Sequence, residues 1–446
     1  MQNIVIRGAQ YLIILFIAVY TWQSFAWFGQ KTEALRRRAA IRQNICLFSV
    51  HFLGYLSGFL VTGNEKLILL YGAQAVYFIC VIFLFRAIYP QSCRTLANHM
   101  CMLLVIGFVM LARLSFRLAL KQSLIVFAGS FAVSVIPWIM GKYRELRRLA
   151  WVYGLIGSFL LFMVFLVADT TNGAKLFFKV GWISVQPSEF VKLIYVFFIA
   201  AMFEKSRSFL QVVKVSLMAA LHVILLVISK DLGGALIFAL TYLLMLYVAT
   251  RQPMYLFGGL ACASVASFVA WKLFDHVQVR VTAWLDPWSV IDTKGYQIAQ
   301  SLFAIGMGGF LGVGLYEGSP GQIPVVEQDF IFSAIAEEFG GAVAICVILI
   351  CLGTLFMFLN IGMESQSLFY RYLATGLAIM YGIQVFLTVG GAMKLIPSTG
   401  VTLPLVSSGG SSVLSTLCMF AVVQGLYIQA GKGTMINGQK KERQTE

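Results

Sequence analysis

Charge is the scarcest resource in this sequence. Only 11% of its 446 residues are Asp, Glu, Lys or Arg, while 60% are hydrophobic, and mean hydropathy is +0.86. A water-soluble chain of this length could not cover its surface with so few charges. Histidine is nearly missing. His51, His99, His222 and His276 have no metal-ligand spacing, which argues against a zinc site built by the protein. The eight cysteines form no CxxC pair, and most lie in apolar runs where Cys behaves as a small hydrophobe. The first apolar run, about residues 11–28, lacks a clear small-residue cleavage site, so no cleavable signal is expected. No low-complexity tract or polar stretch long enough for a soluble domain interrupts the chain. Acidic residues number 18 against 33 basic ones. That excess does not point to nucleic acid, because the basic residues sit in short loops between apolar spans.

What is abundant is Phe (37) and Gly (40), both suited to close packing of membrane helices. A span needs about 20 apolar residues. Roughly 13 runs qualify, near 9–28, 44–62, 67–86, 97–112, 122–141, 149–168, 190–203, 209–229, 232–250, 254–273, 330–360, 372–393 and 410–430. The expected fold is all-α: a polytopic integral membrane protein of roughly 12–13 transmembrane helices. With the basic tail KGTMINGQKKERQTE inside, alternate loops are cytoplasmic, and these hold more than half of the Lys and Arg, including the run at 36–38. The predicted orientation is N-terminus outside, C-terminus cytoplasmic. Three irregular segments then share the outer side: 169–189, 274–329 and 394–409.

Each carries unusual polar residues. In GAKLFFKVGWISVQPSEFVKL (173–193), Pro187 suits a helix start, and Ser188 and Glu189 are placed to cap it. Glu189 and Lys192 are three apart, share a helix face and can pair. In SKDLGG (229–234), Asp231 is read as an interfacial turn residue or a helix cap. The long segment holds Asp286 and Asp292 among Trp284, Trp288 and Tyr296. Its AIGMGGFLGVG lacks the GK[ST] of a phosphate loop and is read as close packing or a tight re-entrant bend. A carboxylate in such surroundings can act as a base, although a solvated turn residue fits either Asp equally well. Glu337 and Glu338 lie about seven residues into the next span, where carboxylates are costly, so at least one must face protein or water. The segment GGAMKLIPSTGVTLPLVSSGGSS (390–412) is dense in Pro, Gly and Ser. Irregular backbone at membrane depth must be satisfied by protein or a wet cavity, so it is expected to fold inward, with Lys394 available to a phosphate.

Four motifs, QPSEFVKL, LDPW…GYQIAQSLFAIGMGG, DFIFSAIAEEFG and PSTGVTLPLVSSGGSS, stand in this order and together resemble the SEDS family (shape, elongation, division and sporulation; the RodA, FtsW and SpoVE type). The resemblance covers roughly residues 150–430. It divides the chain into N-terminal helices over 1–148, partly additional to the family, a core over 149–431 and a basic cytoplasmic tail over 432–446.

The resemblance implies a peptidoglycan glycosyltransferase in a bacterial plasma membrane. Such an enzyme polymerises lipid II beside a class B penicillin-binding protein (a transpeptidase) and other membrane proteins of the elongation or division complex, without nucleic acid. It implies an Asp base in the long outer segment: Asp286 of LDPW, with Asp292 as the alternative. Implied substrate-binding groups are Lys175, Lys179, Glu189, Lys192, Arg280, Asp329, Glu338, Lys394, Ser407 and Ser408. No metal ligands are assigned, and a divalent cation, Mg or Mn, is the one cofactor the chemistry could use. The sequence departs from the family at three points. Val290-Ile291 stands where many members have a second Asp-Pro, Gln328 stands in place of Thr or Ser before DFIF, and GAKLF (173–177) replaces GARRW. The competing readings are a flippase or transporter of the lipid-linked precursor, and a weakly active scaffold for the transpeptidase.

Overall fold

The computed structural model describes residues 2–30, 32–143, 145–168, 170–171, 174–180 and 183–445. Among these residues, sixteen α-helices carry the fold. They are α1 (Gln2–Ala26), α2 (Glu33–Thr62), α3 (Lys66–Ile88), α4 (Arg94–Leu114), α5 (Phe116–Val133), α6 (Ile136–Lys142), α7 (Ala150–Val167) and α8 (Pro187–Lys205), then α9 (Phe209–Ile228), α10 (Leu232–Thr250), α11 (Pro253–Leu273), α12 (Asp275–Leu285), α13 (Tyr296–Gly308), α14 (Ile331–Glu364), α15 (Leu368–Ala392) and α16 (Gly410–Thr445). Between α7 and α8 run two short antiparallel hairpins: β1 (Thr170–Thr171) with β2 (Ala174–Lys175), and β3 (Phe178–Val180) with β4 (Ile183–Val185).

Among the described residues, 12 helical segments are long and apolar enough to cross a membrane, with α5 and α6 counting as one. The remaining predicted span is α8, 19 residues long and thus about 28 Å. It differs in carrying four charged residues, Glu189, Lys192, Glu204 and Lys205. Its central residues from Tyr195 to Phe203 are nearly all buried, so these charges sit only toward its two ends.

The chain folds into two compact units that interleave along the sequence. Unit 1 comprises Met1–Ser130, Phe274–Thr354 and Gln384–Gly409. Its core is α4, in which every residue from Cys101 to Ala112 is buried. Several polar side chains inside it pair with one another. Tyr20 meets His99 at 2.9 Å, His51 meets Gln74 at 2.9 Å, and Gln74 donates to Ser123 at 2.8 Å. Unit 2 comprises Phe131–Leu273, Leu355–Ile383 and Gly410–Glu446. Its core is aromatic, with Tyr195 against Phe238 and Phe358 against Tyr381 and Phe420. Where lipid replaces water outside, such contacts hold helices together by packing rather than by removing apolar surface from water. By contrast, α11 buries no residue.

The Gly-rich segment after α13 explains a break in α14. Gly340 has φ 86°, ψ 170°, so the helix is interrupted there. The interruption frees backbone groups, and the segment satisfies them. Val313 and Gly314 donate their N–H groups to the Glu337 and Glu338 carbonyls at 3.0 and 3.1 Å. The N–H groups of Gly341 and Ala342 donate to the Gly309 and Phe310 carbonyls at 2.9 and 3.1 Å. Gly312 has φ 80°, and a Cβ there would collide with the Glu338 carbonyl. This is the tight bend expected from the sequence, and its partner is the broken helix.

Candidate active site

In unit 2 the polar residues gather where α8 begins. Pro187 occupies the first turn, where its missing N–H costs nothing. Gln186, rather than Ser188 or Glu189, is the N-cap residue, and no side chain closes that cap. Ser188 is used differently: its hydroxyl donates to Asp231 at 3.1 Å. Asp231 also accepts from the Gly234 N–H at 2.8 Å, capping α10, and from Gln186 Nε2 at 3.4 Å. Burial pushes its carboxyl above the usual range, against the opposing pull of the Gly234 N–H and the Ser188 hydroxyl. Glu189 and Lys192 make the expected pair at 2.6 Å, and Ser415 donates to the same Glu189 oxygen at 2.9 Å. The Gln186 N–H donates to Ser411 at 2.9 Å, tying the start of α8 to the start of α16. Lys175 and Lys179 fall on β2 and β3, and their side chains lie outside the described residues.

In unit 1 the segment 394–409 is folded in, with Val401, Leu403, Leu405, Val406 and Ser407 buried. It is stitched to the long segment at several points. Arg280 donates to the Ser398 carbonyl at 3.1 Å, Trp284 to the Lys394 carbonyl at 3.1 Å, and the Ser408 N–H to the Glu327 carbonyl at 2.7 Å. The Ser407 hydroxyl donates to the Gln328 carbonyl and accepts from the Leu403 N–H at 2.8 Å, so it pins the loop. Lys394 is half-buried, in the left-handed region at φ 60°.

Asp329 stands beside this stitching. Burial raises its carboxyl to about 6, opposed by a backbone N–H, the Arg280 charge and the Ser398 hydroxyl. Asp286 terminates α12. It is exposed, and its Oδ1 accepts from the N–H groups of Trp288 and Ser289 at 3.2 and 3.3 Å, which fixes the carboxylate while leaving it open to solvent. Asp292 is also exposed, in the following turn.

Glu338 is committed inside the protein. It is fully buried and paired with Arg113 Nε at 2.7 Å, while Arg113 also donates to the Gly318 carbonyl at 3.0 Å and lies over the Tyr316 ring at 4.9 Å. Its neighbour Glu337 is buried too and accepts from the Ser319 N–H at 2.7 Å. Both carboxylates therefore face protein, one neutralised by a cation and one held by a backbone donor.

Sequence reasoning passed over Arg113, Ser411 and Ser415. An arginine near the end of the apolar run CMLLVIGFVMLARL was the available signal, since such a charge in a span demands a partner. Ser411 and Ser415 gave none, because serine is ordinary in membrane helices.

Residues 94–430 match the family described as "Cell cycle protein" (FTSW_RODA_SPOVE). The chain belongs to this family. Relatives include the peptidoglycan glycosyltransferase RodA of Mycobacterium tuberculosis, 33% identical over 68% of this chain and 69% of that one. Stage V sporulation protein E of Bacillus subtilis is 31% identical over 69% of this chain and 86% of that one. Among solved structures, a chain of a peptidoglycan synthase complex that coordinates polymerization and crosslinking superposes with a TM-score of 0.65 at 26% identity, covering 75% of this chain and 97% of that one. The family match starts at Arg94, well before the region the motifs marked, and leaves α1, α2 and α3 outside it.

Proposed function

We propose that this protein is a membrane glycosyltransferase that polymerises lipid II into glycan strands during elongation, division or sporulation. Its relatives carry the name peptidoglycan glycosyltransferase. The observation that carries the reading from this chain's own geometry is Asp286. It is a carboxylate on the long segment between spans, oriented by two backbone donors yet open to an incoming hydroxyl. Asp292, in the adjacent turn, is the alternative base.

In the reaction, the acceptor hydroxyl attacks the anomeric carbon of the donor sugar. The new glycosidic bond forms as the bond to the lipid diphosphate breaks, and the hydroxyl proton passes to the aspartate. Positive charge develops on the sugar ring and negative charge on the leaving diphosphate. Within unit 1, Lys394 and Arg280 are the cations available to a diphosphate; within unit 2, Lys175, Lys179 and Lys192 are. Glu189 holds Lys192, and Asp329 sits within the influence of Arg280. Ser407 shapes the loop that carries Lys394 and Ser408 anchors it through the backbone, while Glu338 is held in unit 1 by Arg113. Among the described residues no three His, Cys, Asp or Glu side chains gather to hold a metal ion. No step here is routed through a metal ion.

The partner we propose is a class B penicillin-binding protein, supported by the likeness to a chain of a synthase complex that couples polymerization with crosslinking. The proposed location is the bacterial plasma membrane with the C-terminus cytoplasmic. Among the described residues, 12 apolar spans plus α8 make an odd number of candidate crossings, which supports termini on opposite sides.

The test is to supply purified protein, alone and with its cognate transpeptidase, with lipid II and to resolve the products by length. Glycan strands are the expected result. Movement of lipid II across liposomes with no polymer in any preparation would make the protein a transporter, and neither activity with partner binding intact would make it a scaffold.

A further inference from the structure

The helices outside the family match do more than add length. α1, α2 and α3 precede Arg94, and the solved relative that is covered over 97% of its own length leaves a quarter of this chain without a counterpart. Two of these three helices reach the Gly-rich segment that mends the break in α14. From α1, the buried Gln10 donates through Nε2 to the Leu311 carbonyl at 2.8 Å and the Gly312 carbonyl at 3.3 Å. One turn earlier, Arg7 pairs with Glu317 at 2.8 Å. From α2, Gly58 leaves the space that the Tyr316 hydroxyl occupies, 2.6 Å from where a Cβ would stand.

The segment they grip is strained and central. Tyr316 holds φ 73°, a conformation that costs a non-glycine residue on the order of 1–3 kcal/mol and persists only when its surroundings enforce it. Its ring carries the Arg113 guanidinium, which neutralises buried Glu338. The N–H groups of Val313 and Gly314 close the carbonyls of Glu337 and Glu338 just before the break at Gly340. The same stretch of chain therefore touches the added helices on one side and the broken helix on the other.

We propose that the N-terminal helices are an intramolecular brace: Gln10, Arg7 and the Gly58 notch hold residues 309–318 on α14, and Gln10 is the positioning residue. The brace keeps the Arg113–Glu338 pair assembled and fixes a later stretch of the same long segment that carries Asp286. A relative lacking these helices must hold its corresponding segment by other contacts.

Amide hydrogen exchange on the full-length protein in nanodiscs tests this. Gln10→Leu removes two donors without adding charge. It should raise exchange across 311–317 at least tenfold while α10, in the other unit, exchanges as in the wild type. Arg7→Glu, an exposed change that does not threaten folding, should raise exchange in the same segment a few-fold, and Arg7→Glu with Glu317→Arg should restore it. Loss of protection that spreads evenly over all helices, unchanged exchange at 311–317 in both single variants, or failure of the charge swap to rescue would overturn the brace. A kinetic arm rests on the polymerase reading: kcat for lipid II should fall with exchange across the series while KM holds. The exchange result stands or falls without it.

Discussion

At the scale of single residues, the account depends on where charge is exposed and where it is enclosed. Asp286 is open and oriented, whereas Asp329 is enclosed enough to titrate near 6. An unfolded Asp titrates near roughly 3.9. The folded state therefore binds the Asp329 proton more tightly, so it gains stability as pH falls. That gain is complete below about 4 and is lost as pH rises through 6. Above 6 the carboxylate faces Arg280. Thermal melts in detergent from pH 4 to 8 should show this inflection, and Asp329→Asn should flatten it. An unchanged pH profile in the variant would assign the titration elsewhere. Arg113 gives a larger effect. Leaving Glu338 buried without its cation costs roughly 3–5 kcal/mol, so Arg113→Leu should lower the melting temperature sharply or abolish folding, while Arg113→Leu with Glu338→Leu should recover much of the loss. At this scale the sequence was partly legible. It marked Glu189 and Lys192 as a pair through their spacing, and the pair formed. It also offered Ser188 and Glu189 as caps, but Ser188 reaches across to Asp231, a contact 43 residues away that no local pattern announces.

At the scale of elements, apolar run length and turn chemistry carried most of the information. Every predicted span corresponds to a helix, because membrane helices are set by a length of apolar sequence that local pattern reveals. The short hairpins before α8 were not foreseen. Their strands are two or three residues long, below what alternation can signal. The Gly-rich segment was legible as a bend but not in its purpose, since the break in α14 that it repairs depends on one glycine among several. Gly312→Ala and Gly340→Ala should each cost on the order of 1–3 kcal/mol, because both hold positive φ and a Cβ meets backbone at either site. Melting temperatures should drop in both, and Gly306→Ala, where no atom lies within 4 Å of the added carbon, should leave stability nearly unchanged. Equal effects at all three positions would contradict the fit between segment and broken helix.

At the scale of the whole molecule, charge asymmetry between loops is the main evidence for orientation. A fluorescent protein fused to the C-terminus should fold and fluoresce in the cytoplasm, and alkaline phosphatase fused there should stay inactive; the reverse pair of results would invert the topology. The two units could not be read from the sequence, because each is assembled from three separate stretches of chain. Family membership was legible, since four motifs in order survive even where single residues have changed. What those changes do to catalysis turns on one comparison. Wild type, Asp286→Ala and Asp292→Ala, each shown to be folded by its melting profile, should be given lipid II and the rate of glycan formation measured. The account predicts strands from the wild type and from Asp292→Ala, and a loss of about 100-fold or more in Asp286→Ala, as expected for removal of a general base. Full polymerisation by Asp286→Ala would contradict it.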